Sequence, residues 1–164
     1  MTTKKKSWQE KLADNKGLPK VAPITGRMSR KWGEGIMVVP APLEVDALMR
    51  QVPKGKVTTI HQLREALAQK HHANVCCPIT TGIFAWISAH AANEAQAAGK
   101  KRVTPWWRTV KADGELNPKY PGGLAAQSGL LRAEGHRLIP GKGNKPPRVA
   151  DFETALVTPK KFKF

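Results

Sequence analysis

The sequence predicts a mainly α fold with small β elements, organised around a helix-turn-helix. Three observations carry this. Apolar residues recur at helical spacing in three stretches, near 42–52, 60–70 and 78–98. The second and third are separated by a short turn, and the third is the longer. The apolar runs outside them are only a few residues long, enough for short strands.

Each element has a local reason. Ser7 suits the cap of a short helix over Trp8 to Ala13. Residues 17–35 show no clear period and are interrupted by Pro19, Pro23 and glycines. Ile36 to Val39 is a short apolar run. Pro42 opens a helix to about Val52, with Leu43, Ala47, Leu48 and Met49 on its apolar face. Pro53 to Gly55 breaks it. Thr59 caps a helix over Ile60 to Lys70, with Leu63, Ala66 and Leu67 inward. His71 to Cys77 forms the turn, and Pro78 starts a helix towards Ala98. Gly99 stops it, and Lys100, Lys101 and Arg102 beyond it suit the helix dipole. Val103 to Val110 reads as a loop entering a strand, and Asp113-Gly114 as a turn. Tyr120 to Gly123 is a loop before a helix from Leu124 to Glu134. In the tail, His136–Ile139 and Arg148–Phe152 are expected to pair as a hairpin across Gly141–Pro147.

Charge narrows the function classes. Lys and Arg total 28 against 12 acidic residues, a net of +16. Such an excess points to a polyanion, nucleic acid before membrane, although a solubilising surface has the same composition. The ends are densest: residues 1–35 carry net +6 and residues 136–164 carry net +5. They are expected to be a basic N-terminal arm (1–35) and a basic C-terminal extension (139–164) around a central domain (36–138). Met1 to Lys6 is basic, with no apolar signal segment behind it, so export is not expected. Cys76 and Cys77 are sequence neighbours and cannot build a disulfide framework, which fits a reducing cytoplasm. No apolar run is long enough to span a bilayer, so no membrane partner is expected.

Between His71 and Asn93 there is no Asp, Glu, Lys or Arg. Ile79, Ile83, Ile87 and Ala91 are expected to face the core. That leaves the small residues Thr81, Ala85, Ser88 and Ala92 on another face. Such a face can approach a minor groove closely. Complete burial of the helix is the alternative. Cys77, at the helix start, could be an activated thiol or an inert packing residue. His71 and His72 beside the cysteines match no common zinc spacing, so no metal or cofactor is expected.

Several pieces now match a known family in order. They are Val52-Pro53-Lys54-Gly55-Lys56-Val57, the helix-turn-helix, Pro105-Trp106-Trp107-Arg108-Thr109-Val110, and Gly122-Gly123-Leu124 running to Leu130-Leu131-Arg132-Ala133-Glu134-Gly135-His136-Arg137-Leu138. Val52–Leu138, about half the chain, resembles the C-terminal, winged helix-turn-helix-like DNA-binding domain of the O6-alkylguanine-DNA alkyltransferases. In that family a Pro-Cys-His-Arg motif carries the acceptor cysteine, with a glutamate behind the histidine. Here Trp106 stands at the cysteine position, Trp107 at the histidine position, and Glu134 matches the glutamate. An indole offers neither a thiolate nor a basic nitrogen.

The resemblance therefore implies no catalytic residue and no enzyme. It implies an alkyltransferase-like protein that binds O6-alkylguanine in double-stranded DNA, flips the base and passes it to nucleotide excision repair, acting as a monomer. It implies a base pocket of Trp106, Trp107, Arg108, Tyr120, Gly122, Gly123 and Glu134, with Arg108 holding the motif loop. It places Ile60, Thr81, Gly82, Ala85, Ser88 and Asn93 at the DNA, with Thr81 where the family has an arginine and Ile60 where it has a tyrosine. Asn93 matches the family's asparagine hinge, with Glu94–Arg102 inserted after it. Two alternatives stay open: a general winged-helix DNA-binding or regulatory protein whose pocket is plugged, and an alkyltransferase using Cys76 or Cys77.

Overall fold

The computed structural model describes residues 4–164. Met1, Thr2 and Thr3, the start of the expected basic arm, lie outside the described residues. The helices are α1 (Trp8–Ala13), α2 (Arg27–Trp32), α3 (Pro42–Met49), α4 (Ile60–Lys70), α5 (Pro78–Ala97) and α6 (Gly123–Ala133). The strands are β1 (Lys20–Pro23), β2 (Ile36–Val39), β3 (Thr58–Thr59), β4 (Val75–Cys76), β5 (Thr109–Val110), β6 (Leu138–Ile139) and β7 (Arg148–Val149).

The caps work as the local chemistry requires. The Ser7 and Thr59 side chains accept from the Glu10 and Gln62 N–H groups, satisfying donors that a first helical turn leaves open. Pro42 and Pro78 occupy first-turn positions, where a missing N–H costs nothing. Helices α3, α4 and α5 then pack around Val38, Val45, Leu48, Met49, Leu63 and Leu67. The strand β2 runs between β1, antiparallel, and β4, parallel, with Val38 opposite Cys76. The pair β3–β5 is parallel and sets Thr58 opposite Thr109. This joins the start of α4 to the Trp106–Arg108 turn. A second core of Val57, Val110, Leu116, Leu131 and Val149 fills the space beneath α6.

The ends are packed onto the centre, unlike the arms expected from their charge. Helix α1 lies on α5 through Trp8 and Leu12, and β1 pairs along β2. Within residues 20–32, which show no period in the sequence, lie β1 and α2; pairing with β2 supplies the order that the pattern of β1 lacks. The strand β6 pairs antiparallel with β7, Leu138 opposite Val149. Gly141 permits the intervening loop, because any side chain there would collide with the Lys145 carbonyl. The last residues form a strap. The Val157 N–H donates to the Val57 carbonyl at 2.8 Å, and Phe162 is buried in the main core. Apolar anchors decide this outcome, since lysines can stay in water while Val157 and Phe162 pack.

The Gln51 amide holds the strap end twice. Its Nε2 donates to the Lys163 carbonyl at 2.7 Å, and its Oε1 accepts from the Lys163 N–H at 2.8 Å. Replacing Gln51 by alanine is expected to cost about 1 kcal/mol. Limited proteolysis should show earlier cleavage in the last residues, with the rest of the chain as resistant as before.

Candidate nucleic-acid interface

A single 3-10 turn, Trp106–Arg108, follows the buried Pro105 and ends where β5 begins. Glu134, at the end of α6, ties it down. Arg108 donates to both Glu134 oxygens, Nε to Oε1 at 2.9 Å and Nη2 to Oε2 at 2.7 Å. Its Nη1 donates to the Val52 carbonyl at 2.8 Å. The Trp107 indole N–H donates to Glu134 Oε2 at 3.0 Å. Burial works to raise the Glu134 carboxyl, but hydrogen bonds from Arg108 and Trp107 and the guanidinium charge outweigh it. The carboxyl is held below its ordinary value. Arg108 is thus committed to binding the turn to α6 and to the end of the α3 segment.

The loop from Asn117 to Gly122 closes over the other side of Trp106. The Tyr120 ring meets Trp106 edge-on at 5.8 Å, and Trp107 meets it at 5.9 Å. Gly122, left-handed at φ 75°, starts α6; a side chain there would strike Ala126. Gln127, fully buried, was missed by sequence reasoning. Its Oε1 accepts from the Asn117 N–H at 3.0 Å, and its Nε2 donates to the Trp107 and Thr109 carbonyls at 3.2 and 3.3 Å. A lone glutamine within a helix gives no signal of such a role. Trp106 and Tyr120 are only 4% and 3% exposed, so their rings are closed in against one another. Burial also pushes the Tyr120 hydroxyl up.

Helix α5 corrects the expected orientation. Ile79 and Ile83, expected in the core, are 64% and 44% exposed. Thr81, Ala85 and Ser88, expected at the DNA, are buried with Ala92 and cannot touch a partner. The reason is hydrogen bonding from below. Ser88 donates to the buried Asp46 Oδ1 of α3 at 2.6 Å, while Thr81 bonds back to its own helix cap, the Cys77 carbonyl, at 2.7 Å. A helix that is apolar or small on nearly every side leaves the choice of buried face to such partners. Gly82 remains near the surface and Asn93 is exposed, whereas Ile60 is half-buried against the main core.

The exposed side of α5 forms one wall of a groove of about 450 Å³. Ile79, Gly82, Ile83 and Trp86 face Lys111, Pro118 and Lys119 across it. Apolar side chains between lysines suit a polyanion whose grooves are less polar than its backbone. Trp86 was missed too; an aromatic in an uncharged helix facing a basic loop was the available signal.

Residues 41–136, more than half of the chain, match the family described as 6-O-methylguanine DNA methyltransferase, DNA binding domain. The chain belongs to this family. Among solved structures, S. pombe Atl1 in complex with damaged DNA containing O6-carboxymethylguanine is 15% identical to this family member, with a TM-score of 0.46, covering 71% of this chain and 94% of that one. No curated protein matches the sequence. The matched span of this methyltransferase-family chain holds α3 to α6 and the Trp106–Arg108 turn. The α1 helix, β1, α2 and the C-terminal strap lie outside it.

Both cysteines of this family member are buried. Burial pushes the Cys76 thiol up to about 11, against a lowering hydrogen bond from Thr81. A thiol so placed is protonated at neutral pH and a poor nucleophile. Among the described residues, no group of three or more His, Cys, Asp or Glu is placed to hold a metal ion.

Proposed function

We propose that this chain is a non-enzymatic, alkyltransferase-like DNA-binding protein that recognises O6-alkylguanine in duplex DNA, flips the base and passes it on to excision repair. The observation that carries the reading is the Trp106–Arg108 turn. It is anchored through Arg108 and Glu134 as a site would be, yet it presents indoles and no sulfur. Such a turn can stack on a base but cannot accept an alkyl group. In this reading the groove beside α5 meets the minor groove through Ile79, Gly82 and Ile83. Lys111 and Lys119 neutralise phosphates. Trp106, Tyr120 and the Gly122-Gly123 backbone receive the base.

The burial of Trp106 and Tyr120 favours a second reading: a general DNA-binding protein whose pocket stays filled. A titration of duplexes with and without O6-methylguanine, repeated across salt concentrations, separates the two. Lesion recognition is expected to give a preference of about fivefold or more, the ratio from one stacked base worth ~1 kcal/mol. The logarithm of affinity is expected to fall linearly with that of salt. Intact mass after incubation with the methylated duplex should be unchanged. Equal affinities at every salt concentration would leave the second reading, and a gained methyl group would make the protein an enzyme.

A further inference from the structure

The pocket loop is fastened to α5 at one atom. The Lys119 carbonyl accepts from the Trp86 indole N–H at 3.1 Å and from His90 Nε2 at 3.0 Å. A carbonyl only accepts, so His90 carries its proton on Nε2 in this arrangement. Both lone pairs of that oxygen are then occupied.

Trp86 and His90 stand one helical turn apart, and α1 braces them from outside. Trp8 lies edge-on to Trp86 at 4.7 Å and stacked on His90 at 4.5 Å. One further turn along α5, Glu94 accepts from the Trp8 and Gln9 N–H groups at 3.1 and 3.2 Å. Trp86, His90 and Glu94 thus share one stripe, which holds the loop at one end and α1 at the other. Next to Lys119 in the chain is Tyr120, the residue that closes on Trp106. Gly122 and Gly123, with φ of 75° and 68°, supply a pivot on its far side.

We propose that Trp86 and His90 are positioning residues that latch the Asn117–Gly122 loop shut, with α1 as their brace, and that releasing this latch admits an extruded base between Tyr120 and Trp106. The admission step rests on the lesion-binding reading above; the latch itself does not. The two hydrogen bonds lie at the surface, so they hold the loop without locking it. Lys119 itself lines the α5 groove, so in the lesion-binding reading docked DNA meets the residue whose carbonyl is fastened.

The double variant Trp86→Phe/His90→Phe keeps an aromatic ring at each position and deletes both donors. Hydrogen–deuterium exchange of the full chain is expected to quicken about tenfold across 117–123, from two lost hydrogen bonds. The amides of Tyr120 and Gly123, bonded within this loop to Asn117 and Tyr120, report it directly. Trp8→Ala, which keeps the donors and removes the brace, should give a smaller rise in the same segment. Preference for the O6-methylguanine duplex over the unmodified one should grow about threefold or more in the double variant, because less of the binding energy goes into opening the loop. Unchanged exchange in 117–123, or a rise equal to that in α3 and α4, overturns the latch. Faster loop exchange with no gain in lesion preference overturns the admission step. Wild-type protein that binds neither duplex overturns the reading on which that step rests.

Discussion

Glu134→Ala is expected to destabilise the fold by about 3–5 kcal/mol, the cost of removing one partner from a buried, hydrogen-bonded ion pair. The Glu134 and Arg108 side chains are only 7% and 14% exposed. Without the carboxylate, Arg108 keeps the Val52 carbonyl alone and Trp107 loses the acceptor for its N–H. Thermal unfolding should show the melting temperature falling by roughly 10 °C or more for a chain of this size. A double variant, Arg108→Met/Glu134→Leu, should recover part of the loss by removing the stranded charge. A loss below about 1 kcal/mol would mean the pair behaves as a solvated surface bridge.

The same carboxylate predicts acid sensitivity. Glu134 has a depressed folded-state pKa, so its contribution is present above the unfolded value, about 4.3. It is lost as pH falls through the lower folded value. Glu44 has the same sign: burial raises its carboxyl, but hydrogen bonds from Lys70, the Ala41 N–H and His71 prevail and lower it. Stability should therefore drop on acidification below about pH 4.3, and less steeply in Glu134→Ala.

The second large effect is expected at Asp46, buried between α3 and α5. It accepts from Ser88 Oγ at 2.6 Å, Thr104 Oγ1 at 2.7 Å and Arg50 Nε at 2.7 Å. Asp46→Ala leaves the buried Ser88 and Thr104 hydroxyls without this acceptor, at about 1–3 kcal/mol for each polar group left unsatisfied. We expect a total loss of about 2–4 kcal/mol, since neighbouring losses do not simply add. Asp46→Asn keeps one acceptor oxygen and should lose less. Adding Ser88→Ala to Asp46→Ala should recover part of the stability, measured as a coupling in urea unfolding. Because Thr104 leads directly into Pro105, the Asp46 variants should also loosen the Trp106–Arg108 turn. Exchange of the Arg108 amide, which bonds to the Pro105 carbonyl at 3.1 Å, reports that loosening.

The membership of the candidate site came from the resemblance to the alkyltransferase domain, not from composition or spacing. Trp106, Trp107, Arg108, Tyr120 and Glu134 converge in space from three separate stretches of sequence. The set expected at the DNA fared differently. Thr81, Ala85 and Ser88 formed a face of small residues, and smallness suits a tight helix crossing as well as a groove. Choosing between them needed Asp46, 42 residues from Ser88 and silent in the pattern of its own helix. Gln127 and His90 were invisible for a related reason. Their partners are backbone carbonyls and N–H groups, which carry no residue identity to read.

Helix starts and stops were settled by the amino-acid order itself, because a cap or a proline acts within one turn of where it stands. Ser7, Pro42, Thr59 and Pro78 each do so here. The lack of sulfur in the Trp106–Arg108 turn is likewise a property of the chain alone. Only the folded molecule decided which side of α5 meets solvent, that the charged ends pack down, and that Tyr120 shuts against Trp106. Those outcomes depend on contacts between residues tens of positions apart, where burial and hydrogen bonding compete and local pattern is mute.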